Sequence, residues 1–402
     1  MRGKWDKMNC IEYKKIVFVS NFLSPHQKPF CDEMDRLCED NFRFVATKPM
    51  NDERKGLGYS DLDNTSYVIK AYESISQMDV AKILIDEADV VIIGSAPDSL
   101  ILRRLKAKKI TFKYSERILK KELTIRTLPR FVLGTWIHHR RFSKFPLYML
   151  CASAFEAHDL ARLGCYKDKM FCWGYFPDLR IYDDVDLLIE RKKKNTILWA
   201  GRFIDWKHPE YCILLAESLR NEGYEFEINM IGTGEMQENL REMIVAKDLT
   251  EYVHLLGSMP PQMVRNHMED SAVYLITSNR VEGWGAVLNE SMNSACAVVA
   301  SSLVGAAPYL VQEGENGLIF RNEDLEDLIS KVKKLLDNHN LIIKCGKNAY
   351  FTIKNKWNYK TAAGNLLALI ENIEKGAEVN SIEGPCQPAP IISDDWYEWK
   401  KM

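Results

Sequence analysis

The sequence predicts two α/β domains, each a parallel sheet with helices on both faces, joined by a polar linker. Three observations predict it. At 402 residues the chain is too long for one hydrophobic core and suits two. Short apolar, β-rich runs such as Ile16–Ser20, Val90–Gly94, Thr196–Ala200 and Ala272–Thr277 alternate with helical patterns. That alternation breaks between Gly174 and Lys194, where turn residues and a basic run replace it.

Composition bounds the function classes. Hydrophobic content of 46% and 27% charged residues are ordinary for a globular protein. The first residues lack an apolar h-region, and no run of about 18 apolar residues occurs, so neither secretion nor a membrane span is expected. Ten cysteines lie scattered without a CxxC pair, which suits a reduced cytoplasm. The net charge of −2 conceals an asymmetry: residues 1–180 hold 31 Lys+Arg against 23 Asp+Glu, and residues 181–402 hold 23 against 33. Residues 101–150 alone hold 14 against 2, which suggests an anionic partner or a solvated basic face.

In the first half, Ile16–Ser20 is a strand and its loop carries Asn21 and His26. A helix follows over about 30–39, then strands over 42–47, 66–71, 90–94 and 110–114, with a helix over 97–107. A polar loop fills 48–64. There is no GxGxxG, which argues against a dinucleotide fingerprint here. Ligands of open α/β sheets bind beyond the carboxyl ends of strands, which singles out Asn21, His26, Ser95 and Glu116. His26 can instead cap the next helix, and Glu116 can be a helix N-terminal acid. Residues 126–146 mix Leu, Phe, Trp and Ile with Arg126, Arg130, Arg140, Arg141 and Lys144. They read as an amphipathic surface element for anionic lipid or as a plain wet helix. A strand over 147–152, a helix over 153–163 and a strand over 169–173 finish this half.

In the second half, Gly201-Arg-Phe-Ile-Asp-Trp-Lys-His208 separates a strand from a helix. It places Arg202 and Lys207 at a strand's carboxyl end beside a helix N-terminus, a natural site for a diphosphate. Gly232-Thr-Gly234 is another tight turn, and Leu256-Gly257 ends the next strand. The central stretch runs from the strand Ala272–Thr277 through Glu282-Gly-Trp-Gly285 into a helix bearing Ala286, Val287 and Glu290. Gly283 and Gly285 admit close backbone approach, and the helix start offers free N–H groups. Glu290 lies about two turns into that helix and roughly 80° around from Glu282.

The Glu282-to-Glu290 spacing, the Gly201–Lys207 element and Glu313-Gly-Glu-Asn-Gly317 together resemble glycosyltransferase family 4, the retaining GT-B enzymes. The resemblance covers about 196–374 with specific motifs and is loose over 16–175. It implies the GT-B architecture, two Rossmann-like αβα domains facing each other across a cleft. The implied division is an acceptor domain over 1–177, a linker over 178–195 and a donor domain over 196–357. A crossing helix over 358–376 and a tail over 377–402, disordered or docked by its aromatics, complete it. It further implies that Glu282 and the amides at Gly283, Trp284 and Gly285 hold the donor sugar, and that Glu290 holds the ribose. Arg202 and Lys207 neutralise the leaving diphosphate, while Gly201, Gly232, Gly234, Leu256, Gly257, Ala286 and Val287 line the nucleotide. His26 and Glu116 complete the catalytic side. The implied partners are a UDP- or GDP-linked sugar as co-substrate and a saccharide or lipid-linked acceptor, with no resident cofactor and no metal.

Departures stand beside these matches. Glu290 is followed by Ser291 where relatives carry Ala, Gly-x-Pro-Val is here Ala295-Cys-Ala-Val298, and Gly94-Ser-Ala-Pro97 lacks the histidine many relatives carry. Asp61-Leu-Asp63 and Asp184-Val-Asp186 read DxD, but both lie in polar sequence and are expected to be solvated turns. The other readings are a sugar-nucleotide epimerase of the same fold and an inactive nucleotide-binding protein. No recognition motif supports nucleic acid.

Overall fold

The computed structural model describes residues 14–50, 62, 64–120, 124, 126–379 and 381–398. The first sheet is built from β1 (Ile16–Ser20), α1 (Lys28–Cys38), β2 (Phe42–Ala46), β3 (Val68–Lys70), α2 (Ile75–Glu87) and β4 (Val90–Ile93). Then come α3 (Leu102–Lys106), β5 (Thr111–Ser115), α4 (Leu128–His138), β6 (Leu147–Cys151), α5 (Glu156–Ala161) and β7 (Met170–Cys172). Every strand pair in it is parallel, in the order β3-β2-β1-β4-β5-β6-β7. β1 is buried along its whole length because helices cover both faces, hence its unbroken apolar sequence.

The second sheet begins after α6 (Val185–Arg191). It contains β8 (Lys193–Ala200), α7 (Glu210–Asn221), β9 (Glu227–Ile231), α8 (Gln237–Ala246), β10 (Val253–Gly257), α9 (Pro261–Asp270) and β11 (Ser271–Ile276). It continues with α10 (Ala286–Asn293), β12 (Ala297–Ser301), α11 (Ala307–Leu310), β13 (Gly317–Phe320), α12 (Leu325–Leu336), α13 (His339–Asn355) and α14 (Tyr359–Lys375). Its order, β10-β9-β8-β11-β12-β13, is again all parallel. The two αβα units face each other across a cleft, which is the GT-B architecture. Each sheet has its switch point where strand order reverses, at β1/β4 and at β8/β11.

Several elements depart from the sequence expectation. The helix expected over 97–107 opens as a 3₁₀ turn, Asp98–Ile101, because Asp98 is drawn to Lys113 at 2.8 Å and His138 at 2.7 Å. Residues 153–155 are not helical: the Ala154 amide leaves to donate to the Gly305 carbonyl of the second unit at 2.9 Å. The expected linker holds α6, started by Asp184, whose carboxylate accepts from the amides of Asp186 and Leu187. That Asp184-Val-Asp186 pair is therefore a helix cap, with Asp186 2.7 Å from Lys347. Asp61 and Asp63 lie outside the described residues.

One apolar cluster runs through both units, joining Phe30, Trp173 and Phe176 to Trp284 and Trp357. At the seam, three glycines are packed so closely that no side chain fits. A Cβ on Gly174 would fall 2.3 Å from the Trp284 ring, on Gly283 2.0 Å from a Glu116 oxygen, and on Gly305 1.7 Å from the Gly283 carbonyl oxygen. α14 crosses back and packs on α1, with Lys14 2.9 Å from Glu374. The tail is docked on β7: the Cys172 amide donates to the Gln387 carbonyl at 2.8 Å, the Cys386 amide to the Cys172 carbonyl at 2.7 Å, and the Ala389 amide to the Met170 carbonyl at 2.9 Å.

Candidate functional site

The loops after β8 and β11 meet at the second switch point. The Asn279 amide donates to the Trp206 carbonyl at 2.9 Å, and the Thr277 hydroxyl donates to the Lys207 carbonyl at 2.6 Å. Held this way, Lys207 Nζ lies 2.5 Å from Glu282 Oε2 and 4.7 Å from the centre of the Trp206 ring. The Ser278 hydroxyl donates to the same Glu282 oxygen at 3.1 Å. Burial pushes the Glu282 carboxyl up, but the Lys207 charge and hydrogen bond outweigh it and hold the group below the usual range. Arg202, on the same loop as Lys207, is exposed, and no hydrogen bond or ion pair of its side chain is found among the described residues.

The glycines of this crevice do two different jobs. Gly285 has φ +88 at the entry to α10, a left-handed position that lets the chain turn directly into the helix above Ala286 and Val287. Gly232 and Gly234 serve packing. A Cβ on them would meet the Gly201 carbonyl oxygen at 1.8 Å and the Phe203 carbonyl oxygen at 2.4 Å, so two loops lie backbone to backbone. The Gly232 amide donates to the Gly257 carbonyl, which places Gly257 and the part-exposed Leu256 at the same rim. Trp284 is fully buried against Tyr309 and Trp357, with its indole N–H donating to Asn289 at 2.8 Å. What it offers a ligand is backbone.

Glu290 projects from α10 with no hydrogen bond from its carboxylate among the described residues. Burial raises its carboxyl above the usual range, against the opposing charges of Arg265 and Arg180. Such a group is ready to accept from hydroxyls.

The first unit brings its residues to the same place. His26 stacks on Tyr175 with ring centroids 5.7 Å apart, and the Tyr175 hydroxyl donates to Glu116 Oε1 at 2.6 Å. The other Glu116 oxygen pairs with Lys120 and lies against Gly283. So His26, Tyr175, Glu116, Gly283, Glu282 and Lys207 form one chain of contacts across the cleft. Asn21 and Ser95 stay at the β1/β4 end, where the Gly94 amide donates to the Val19 carbonyl. Lys120, Tyr175 and Arg280 stand at the site although sequence reasoning does not single them out. Tyr175 sits in an aromatic turn that reads as linker, and Lys120 in a basic run that reads as a wet face.

Known proteins share this fold and part of this sequence. Residues 186–351 match the family described as "Glycosyl transferases group 1". An uncharacterized glycosyltransferase of Methanocaldococcus jannaschii is 27% identical over 180 residues, 44% of this chain and 49% of its own. The amylovoran biosynthesis glycosyltransferase AmsK of Erwinia amylovora is 23% identical over 235 residues, 56% of each. The chain spans about half the length of the curated relatives it matches most strongly. Among solved structures, Anabaena HepE in complex with UDP superposes with a TM-score of 0.66 at 14% identity, over 89% of this chain and 100% of that one. TarM superposes with 0.64 at 11% identity, over 88% and 98%. The chain therefore has a GT-B-like fold, and its residues 186–351 are similar to group 1 glycosyl transferases.

Proposed function

We propose that the protein is a retaining glycosyltransferase. It moves a sugar from a UDP- or GDP-linked donor to a saccharide or lipid-linked saccharide acceptor during cell-surface polysaccharide synthesis. The observation that carries this reading is the Lys207–Glu282 pair at the switch point and at the foot of α10, with the exposed Arg202 on the Lys207 loop. A diphosphate seated there meets two cations and the helix start, while Glu282 is ionised and aimed to accept from sugar hydroxyls. Charge that grows on the leaving phosphate as the bond from the sugar's anomeric carbon breaks is stabilised by groups already in place. The acceptor oxygen bonds to the same face of that carbon, and its proton passes to the departing phosphate oxygen. Glu290 holds the ribose. No metal is needed, because protein cations meet the phosphate charge. The UDP in the HepE complex and the polysaccharide-related names among the relatives support the substrate class.

The membrane reading also rests on an observation. On α4, Leu128, Val132, Leu133 and Trp136 are 46–58% exposed, with Arg126, Arg130, Arg140 and Arg141 exposed around them. This arrangement suits an anionic bilayer interface, where each basic residue adds on the order of 1 kcal/mol.

A screen of nucleotide sugars tests the activity, read as release of UDP or GDP in excess EDTA. Turnover with one donor is expected; no turnover with any, or turnover only after Mn²⁺ is restored, overturns the metal-free reading. Co-sedimentation with anionic but not neutral vesicles, lost when the four arginines become serine, tests the location.

A further inference from the structure

The seam between the two units is tied by the last described segment of the chain. Its Cys386–Ala389 run lies along β7 of the first unit. Trp396 Nε1 then donates to the Ser302 carbonyl of the second unit at 2.9 Å. The Tyr397 hydroxyl donates to the Ile319 carbonyl at 2.7 Å and accepts from Lys331 at 2.9 Å. Between these two anchors stands Asp394. One of its oxygens is 2.9 Å from Arg117 Nη1, and the other is 3.0 Å from Arg280 Nη2. Arg117 follows Glu116 directly, is 1% exposed, and is also paired with Asp159 at 3.1 Å. Arg280 stands two residues before Glu282 and donates to the Leu119 carbonyl at 3.1 Å.

We propose that Asp394 is a positioning residue for the donor site, an assignment that rests on the function proposed above. It supplies the counter-charge of Arg280 and bridges it to Arg117, which Asp159 already pairs, and so locks the loop 279–283 onto the loop 116–120. Glu282 and Glu116 are then held in register by a carboxylate that belongs to neither loop. Because the arm is anchored on both units, the carboxylate is fixed before a ligand arrives, and little ordering cost falls on binding. Without it, Arg280 keeps the Leu119 carbonyl but loses its counter-charge in a partly buried seam.

The test uses the full chain with Asp394→Asn and Asp394→Glu. In Asp394→Asn, KM for the nucleotide sugar rises about tenfold while Kd for the free nucleotide diphosphate stays within about twofold, since only the sugar end is held by the loop. Asp394→Glu restores KM to within about threefold. Amides of 117–120 and 279–283 exchange with solvent about tenfold faster in Asp394→Asn, with those of β1 and β12 unchanged. Wild-type exchange in both loops overturns the proposal, as does equal weakening of nucleotide and nucleotide sugar. If wild type binds no nucleotide sugar, the proposed function falls. Exchange in the two loops still decides whether Asp394 locks them.

Discussion

The two sheets share the order of six strands, to which the first adds β7, yet present unlike chemistry at their carboxyl ends. In the second, compact charges gather on short loops: Arg202, Lys207 and Glu282, with α10 starting beside them. In the first, the same position holds an aromatic stack of His26 on Tyr175. Below it, buried Glu156 bonds to the Ser115 hydroxyl at 2.5 Å, and burial pushes its carboxyl well above the usual range. Topology decides where a site lies, and loops decide what it does. The charged crevice is shaped for a charged group of fixed geometry, the aromatic one for a partner whose identity varies.

The largest expected effect breaks or upholds that contrast. Lys207→Ala or Arg202→Ala is expected to lower kcat by about 10²-fold or more, the scale of losing one preorganised electrostatic partner. Wild-type turnover in either would mean the charges do no chemistry. Next, Glu116→Gln keeps the shape of the first unit's contact and removes its charge. Transfer is expected to fall by about 10-fold to 10²-fold through lost positioning, with nucleotide diphosphate affinity unmoved; an equal fall in that affinity, measured by calorimetry, would erase the division of labour.

Glu290→Gln sharpens the second crevice itself. Nucleotide affinity is expected to drop about tenfold, the scale of hydrogen bonds to a charged acceptor. Stability goes the other way. A carboxyl whose folded pKa is raised binds more protons in the folded state, so it costs stability as pH rises from its unfolded to its folded value. The variant's melting temperature should therefore match wild type at acid pH and equal or exceed it at pH 7 and above. A lower melting temperature at neutral pH would show Glu290 to be a structural partner of Arg265.

The smallest effect lies in the frame rather than the crevice. Ala295 has φ +55 at the entry to β12, a left-handed position where a Cβ costs energy. Ala295→Gly is expected to leave turnover alone and change stability by no more than about 1 kcal/mol in the favourable direction. Denaturant melts check it.

How much of this was legible follows from the same contrast. Buried parallel strands read plainly because apolar runs such as Ile16–Ser20 must be buried on both faces. The Lys207 and Glu282 loops read plainly because their spacing is local. α2 was missed: only Ala81 and Ile85 are buried, while Ile75, Val80 and Ile83 face outward, so its apolar period is smeared. Its start was written in Ser74 and Gln77, whose side chain-to-amide bond at 3.1 Å opens the helix. Gly232 and Gly234 were legible as a turn, but their reason, the approach of the Gly201 and Phe203 carbonyls, depends on a loop thirty residues away. Asp394 was illegible, because its partners Arg117 and Arg280 are brought to it only by the docking of both units.

The three crowded glycines of the seam bear on how a substitution scan of this chain would read. Gly174 faces the Trp284 ring and Gly305 the Gly283 carbonyl, so even alanine displaces packed atoms there, whereas Gly283 faces the movable carboxylate of Glu116. In an activity screen Gly174 and Gly305 would score as dead, alongside Arg202. Only Arg202→Ala, at an exposed side chain, would keep the wild-type melting profile close to intact. A heat-denaturation readout run beside the screen would separate residues that react from residues that merely leave room.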